Sequence, residues 1–302
     1  MNERFENVVV TGGSGFLGSH IADTLSERGC RVKIFDRHES PYLREDQRMV
    51  VGDLLDLEAM VPAFAGADAV FHLAAMADLN DARSRPLDAA RLNVLGTLHA
   101  LEAARAVGAR RFVFASTVYV YSRAGGFYRC SKQACESFIE EFERQHGLPY
   151  TILRYGSLYG PRADQTNGFY RLLRQAARES KIQHAGRPDD RREYIHVADA
   201  ARLSVDALDA AHENQHLVLT GNASTRLEDL FTMFSEILGR PLDIEYQGGE
   251  GDGHYRVTPY AYGPRPGRKL TSNLTVDMGQ GILQLLESLD RETTDHEGDE
   301  TP

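Results

Sequence analysis

Residues 8–36 read VVVTGGSGFLGSHIADTLSERGCRVKIFD: a strand, a glycine-rich turn, a helix and a second strand that ends in an acid. Val8–Val10 form a buried-strand run, and Gly12, Gly15 and Gly18 follow at three-residue spacing. Leu17, Ile21 and Leu25 then recur every four residues, which marks one apolar helix face. So tight a turn uses glycine where a Cβ would block a diphosphate approaching the backbone. The diphosphate can sit on the unpaired N–H groups that open the helix. Phe16 and Leu17, at that opening, are therefore candidate cofactor contacts with Gly12 and Gly15. Asp36 falls at the tip of the second strand, where a carboxylate accepts both ribose hydroxyls of an adenosine. Its charge repels a 2′-phosphate and favours NAD over NADP, although Arg37, next in the chain, is able to cushion one.

Working outward, strands are predicted at 6–10, 31–35, 49–51, 69–73, 111–116, 150–154 and 216–219. Helices are predicted at 15–28, 56–65, 86–107, 128–146 and 197–212. The alternation implies a doubly wound α/β fold with a parallel sheet covered on both faces. Ligands of such folds bind beyond the carboxyl ends of the strands, where the strand order reverses. After residue 157 the pattern loosens into loops, a helix at 226–238 and a Gly/Pro-rich stretch at 247–268. These suggest a smaller, discontinuous lobe. The expected division is 1–157 with 195–222 for the cofactor, 158–194 with 223–289 for the substrate, and a disordered acidic tail at 290–302.

Composition narrows the partners. A formal charge of −10 over 302 residues argues against nucleic acid. The longest apolar runs are strand-length, and Met1–Asn7 is too polar for a signal peptide, so no membrane partner is expected. The three cysteines, Cys30, Cys130 and Cys135, have neither metal-ligand nor disulfide spacing. A reducing cytoplasm and no metal site are expected. Against the acidic background, Arg162, Arg171, Arg174, Arg178, Arg187, Arg191 and Arg192 cluster, which suits a small anionic ligand. For Arg171, Arg174 and Arg178, at helical spacing, a solvated helix face is the preferred reading.

The glycine pattern GxxGxxG is followed by GDLLD at 52–56, HLAA at 72–75, NVLGT at 93–97, ASTVYVYS at 115–122, YRCSK at 128–132, LRYGSLYGPR at 153–162 and REYIHVAD at 192–199. In this order and spacing the chain resembles the extended short-chain dehydrogenase/reductase superfamily, and within it the UDP-glucose 4-epimerase-like nucleotide-sugar epimerases and dehydratases. The resemblance covers roughly residues 6–290. It implies a Rossmann-type sheet with a substrate lobe, bound NAD, a nucleoside-diphosphate sugar as substrate, and a homodimer formed through the helices at 86–107 and 128–146.

Tyr128 and Lys132, four residues apart, share one helix face. A tyrosine that takes a proton from an alcohol must ionise, yet its ordinary pKa is about 10. Bringing it to about 7 requires roughly 4 kcal/mol, which a nearby ammonium and a cationic nicotinamide are expected to supply. By the family register Thr117 is the catalytic hydroxyl, holding the substrate oxygen against Tyr128, with Ser116 as the fallback. The resemblance further implies adenine-side contacts from Asp53 and Leu54, close cofactor approach at Leu73, Ala74 and Ala75, and a structural role for Asn93. Asn167, Arg192 and Arg265 are implied at the substrate diphosphate, while His196 and Asp199 fix a loop and cap a helix. His72 is equally readable as a packed histidine or a ligand contact.

Two departures bear on the reaction. The dehydratases and decarboxylases of the superfamily carry an acid just after the catalytic hydroxyl, where this chain has Val118 and Tyr119. Epimerisation at C4 is therefore preferred to dehydration. The connection SRAGGF between Tyr121 and Tyr128 is much shorter than usual, which predicts an open cleft with a flexible Gly125-Gly126 tip. The chief rival is a reductase or dehydrogenase that uses the same triad once per cofactor. A non-catalytic dinucleotide sensor would have no need of Tyr128 and Lys132 together.

Overall fold

The structure, a computed structural model, describes residues 5–248 and 253–260, with Met278 and Ile282 beyond them. The first half alternates β1 (Asn7–Thr11), α1 (Phe16–Glu27), β2 (Arg31–Asp36), β3 (Gln47–Val51), α2 (Leu57–Phe64) and β4 (Ala69–His72). Short helices α3 (Leu79–Ser84) and α4 (Pro86–Ala89) follow, then a π-helical turn at Ala90–Leu95 and α5 (Gly96–Ala106). Next come β5 (Arg111–Thr117), α6 (Gly126–His146), β6 (Tyr150–Tyr155), β7 (Ser157–Tyr159), α7 (Gly168–Glu179) and β8 (Lys181–His184). The described elements close with β9 (Arg191–His196), α8 (Val197–Asp206), β10 (Gln215–Leu219), β11 (Ser224–Arg226), α9 (Leu227–Leu238) and β12 (Asp243–Tyr246).

Seven strands form one parallel sheet in the order β10-β6-β5-β4-β1-β2-β3. Alternation along β1 divides its core. Val9 packs with Phe35, Met60, Phe64, Leu101, Phe112, Phe114 and Ile139 on the face covered by α2, α5 and α6. Val8 and Val10 pack with Ile21, Leu25, Ile34, Phe71, Val113 and Leu153 on the face covered by α1 and α8. Each fully buried large apolar side chain contributes about 1.5–3 kcal/mol. The order of connection reverses between β1 and β4, so the crevice beyond their carboxyl ends is where such a sheet takes its ligand.

All seven predicted strands and the periodic helices are found, with end shifts of a few residues. The predicted helix at 86–107 is instead broken at the π turn, where the buried Asn93 turns its amide into the loop after β4. The predicted helix at 197–212 stops at Asp206, and a 3₁₀ turn at Ala210–His212 follows. Downstream, β7, β9 and β11 form a three-stranded sheet and β8 pairs β12. There α7 and α9 gather a separate core of Ala176, Ile182, Leu230, Phe231 and Phe234. The expected acidic tail at 290–302, and Arg265, lie outside the described residues.

Candidate active site

The glycine turn is built for close approach. A Cβ on Gly12 would meet the backbone N of Ala74 at 2.6 Å, and one on Gly18 would meet the Gly12 carbonyl oxygen at 2.1 Å. Gly15 occupies the N-cap of α1 and no side chain caps the helix. The first-turn N–H groups, including those of Phe16 and Leu17, are left to a ligand. Asp36 is pinned at the tip of β2 by the N–H groups of Ser14 (3.1 Å) and His38 (3.3 Å), one on each carboxylate oxygen. Each oxygen keeps a second lone pair. Arg37 beside it is exposed. Leu73, Ala74 and Ala75 lie half-buried opposite the glycines, with the Leu73 N–H bonded to the Thr11 carbonyl at 3.1 Å. Asp53 is exposed and caps its own turn through the Leu55 N–H at 2.9 Å, while Leu54 packs into the core beneath Gly96. A crevice that any Cβ would fill, with bare amides on one side and a carboxylate at the strand tip, fits a dinucleotide.

His72 is a packed residue. It is 1 % exposed, and its ring bonds Thr11 Oγ1 at 2.7 Å and Thr97 Oγ1 at 3.1 Å. Burial, with help from the Lys132 charge, brings its pKa down to about 3, so it stays neutral. Asn93 is structural as well: its amide oxygen accepts the Met76 N–H at 2.7 Å, and its nitrogen donates to the Met76 carbonyl and to Ser131 Oγ.

The reactive groups meet where β5 ends and α6 begins. Thr117 and Ser116 are adjacent in a strand and so point to opposite faces. Ser116 donates to Glu136, which is held by two bonds from Arg154, at 3.0 and 2.6 Å. Thr117 faces the other way, toward Tyr128, and accepts the Tyr119 N–H at 3.3 Å. The fallback assignment to Ser116 is thus set aside by an ion-pair network that engages it. Lys132 is 3 % exposed; its ammonium donates to the Ala115 carbonyl at 2.7 Å and lies 4.5 Å over the Phe114 ring and 5.9 Å from the Tyr128 ring centre. Burial lowers its pKa to about 8, against the opposing pull of Cys135 and Glu136.

The expected depression of the Tyr128 pKa does not occur in the protein alone. Burial drives the phenol upward, Cys135 adds to the rise, and the Thr117 hydroxyl only partly opposes them. Desolvation of the buried phenol is the largest of these influences.

The short loop before α6 does not leave a bare cleft. Gly125, at φ +87°, begins α6 in a left-handed turn, and its N–H bonds the Gly253 carbonyl at 2.6 Å. Segment 253–258 crosses here. The buried Tyr255 packs its ring 4.8 Å from that of Tyr119, and His254 bonds the Tyr119 hydroxyl. Burial also raises the Tyr119 phenol, so it stays protonated. Neither Tyr119 nor this strap was singled out from the sequence for the site. Only the hydroxyl and imidazole side chains hinted at it.

A cavity of about 990 Å³ is lined by Arg171, Arg174 and Arg178 of α7, Arg187, Arg192 of β9, and Arg256. Arg171 and Arg178 are exposed and Arg174 is half-buried, in keeping with a solvated helix face that borders this cavity. Arg162 is not on this cavity and pairs instead with Asp23 of α1 at 2.7 Å. Arg192 is 8 % exposed, stacks on Tyr255 at 4.7 Å, and has no carboxylate partner among the described residues. Its Nη1 donates to the Arg191 carbonyl at 3.1 Å. Asn167 caps α7 through the Tyr170 N–H at 2.9 Å and donates to the Leu158 carbonyl at 2.9 Å. His196 caps α8 and Asp199 pairs with Arg202, both structural.

Residues 8–220 match the model of the NAD dependent epimerase/dehydratase family. The chain belongs to that family. It is 31% identical to the UDP-N-acetyl-alpha-D-glucosaminuronate decarboxylase of Bacillus cytotoxicus, over 67% of this chain and 70% of the relative. Among solved structures it is similar to the UDP-glucose 4-epimerase of Thermotoga maritima with UDP-glucose (TM-score 0.78, 28% identity, 84% of this chain and 90% of the other). It is also similar to the Thermus thermophilus UDP-glucose 4-epimerase complexed with NAD (TM-score 0.74, 26% identity, 85% and 90%). The family's NAD fits the crevice already described. Among the described residues no cluster could hold a metal ion, and no helix is long and apolar enough to cross a membrane.

Proposed function

We propose that this family member is a nucleotide-sugar 4-epimerase. The carrying observation is the convergence of Thr117, Tyr128 and Lys132 at one strand end, with no carboxylate at positions 118 and 119. When bound, NAD accepts a hydride from the sugar carbon, returns it to the keto sugar, and adds a positive charge beside the phenol. Thr117, fixed by the Tyr119 N–H, donates its hydroxyl hydrogen bond to the reacting oxygen. Tyr128 takes the 4-hydroxyl proton as the carbonyl forms and gives it back when the opposite face is reduced. Lys132 has two N–H donors beyond the one on Ala115, enough to hold ribose hydroxyls of the cofactor. Gly12, Gly15, Phe16, Leu17, Asp36, Arg37, Asp53, Leu54 and Leu73–Ala75 form the cofactor side of this reading. Asn167, Arg192 and Arg265 form the substrate side.

Removing water or carbon dioxide would ask for a further acid or base beside the transient ketone. Val118 is buried and carries no acid or base, and the raised Tyr119 phenol cannot serve as a base, which disfavours the dehydratase branch. The same reading divides the chain into a cofactor domain, 1–157 with 195–222, and a substrate lobe, 158–194 with 223–289. A homodimer through the helical segments at 86–107 and 128–146 is supported by the exposed Leu95 and Phe138, and a cytoplasmic setting by three free thiols.

The test is turnover of UDP-glucose or UDP-galactose by purified protein with no cofactor added. Interconversion that Tyr128→Phe abolishes is expected. Product that forms only with stoichiometric added NAD, with reduced cofactor accumulating, would favour the dehydrogenase instead.

A further inference from the structure

Tyr128, Lys132 and Glu136 follow at four-residue spacing along α6 and share the face turned to β5. The first two belong to the proposed reaction, and the third is a carboxylate only 6 % exposed. Glu136 accepts the Ser116 hydroxyl and two bonds from Arg154 of β6. Arg154 also donates to the Tyr121 hydroxyl at 2.5 Å and to His216 Nδ1 at 2.7 Å, and His216 Nε2 lies 2.9 Å from Glu140. Burial, then the Arg154 charge, hold the His216 pKa below its ordinary value, so the ring adds no charge near neutral pH.

A buried ion pair is weak grounds for stability, because apolar side chains of similar volume often serve as well. The placement of this pair gives it another use. Lys132 leans inward, over Phe114 of β5 and toward the neutral His72 of β4, whereas Arg154 reaches outward from β6 to β10. Glu136 stands between the two cations, one helical turn from Lys132. The nearer charge to the ammonium is therefore the negative one, and it opposes the effect of burial. No other element packed on this stretch of α6 competes with it. Ala82 of α3 and Ala89 of α4 pack beside Tyr128, and Asn93 and Thr97 bond to Ser131 and Cys135. Burial raises both the Cys135 thiol and the Tyr128 phenol, so both are neutral near pH 7.

We infer that Glu136 is a positioning residue of this site: backed by Arg154, its carboxylate holds Lys132 in the ammonium form that the triad uses. The inference rests on the Thr117, Tyr128 and Lys132 reading above and adds the residue that stands behind it.

Two variants should move Lys132 in opposite directions. Glu136→Gln keeps the shape and the Ser116 bond but removes the negative charge, and Arg154→Gln leaves that charge bare. The folded protein holds the Lys132 proton less tightly than the unfolded chain, so the parent gains stability as pH rises from about 8. Urea unfolding of the nucleotide-free proteins should place this onset about one pH unit lower in Glu136→Gln, and above the parent in Arg154→Gln. A Lys132→Met background should lack the onset with or without Glu136→Gln. In steady-state turnover of UDP-glucose, the alkaline limb of kcat/KM should move with the onset, and Ser116→Ala should move neither. Thermal stabilisation by NAD reports whether each variant folds. Where a single variant does not, Glu136→Gln/Arg154→Met removes both charges and should still set the onset below that of the parent. An onset that stays put on loss of the carboxylate, or that shifts the same way in both single variants, would overturn the inference. So would a limb that stays put while the onset moves. No turnover by the parent would count against the epimerase reading instead, with the onset still deciding the role of Glu136.

Discussion

Lys132→Met is the variant in which stability and chemistry should part most clearly. The Lys132 pKa falls from an ordinary 10.5 to about 8 because the ammonium is buried at 3 % exposure. At 1.36 kcal/mol per unit, keeping it protonated costs the folded protein about 3 kcal/mol at pH 7. Methionine removes that cost and fills a similar volume. It loses the bond to the Ala115 carbonyl, worth about 1 kcal/mol. The variant should therefore be more stable than the parent by about 2 kcal/mol at pH 7, yet inactive. The sign of the pH dependence follows from the direction of the shift. Between pH 8 and 10.5 the unfolded chain binds more protons at this position than the folded one, so the parent gains stability as pH rises through that window. The advantage of the variant should shrink across it and vanish near its upper end. Urea unfolding of both nucleotide-free proteins at several pH values measures the difference. A variant less stable than the parent at pH 7, or a difference that stays constant with pH, would refute the reasoning.

Four further substitutions separate the roles assigned above. Thr117→Val should cost roughly 10²-fold or more in kcat, whereas Ser116→Ala should leave kcat within a few-fold and cost about 1–2 kcal/mol of stability by releasing Glu136, read by steady-state kinetics and urea midpoints. Gly18→Ala drives a Cβ into the Gly12 carbonyl; NAD affinity by calorimetry should drop sharply, and stability by about 1–3 kcal/mol. Arg192→Gln should raise KM for the nucleotide sugar by roughly 10- to 100-fold, the loss of charge-assisted hydrogen bonds to phosphate, with NAD affinity unchanged.

The Rossmann half was legible because its signals are local. Val8–Val10, the glycine turn and the Leu17/Ile21/Leu25 face each follow from a few consecutive residues, and the parallel sheet follows from the alternation of strands with helices. The π turn at Ala90–Leu95 was not legible, because it comes from the Asn93 amide bonding Met76, a contact that no periodicity encodes. The strap was missed for the same reason. Gly125 and Gly253 are far apart in the chain, and a Gly/Pro-rich stretch does not announce what it will cover. Spacing did bring Tyr128 and Lys132 to one helix face. It could not weigh their charges, since desolvation depends on what is packed around them, and here desolvation dominates both groups.

The most direct test of the central claim is proton NMR of a nucleotide sugar incubated with the protein in deuterated buffer, with no cofactor added. Sugars linked to uridine, thymidine, guanosine and cytidine diphosphates should be offered in parallel, together with acidic-sugar counterparts. The account predicts a C4 isomer that keeps all its carbon-bound protons, because the same hydride leaves and returns. Deuterium beside the former hydroxyl carbon, or loss of water or carbon dioxide, would contradict it.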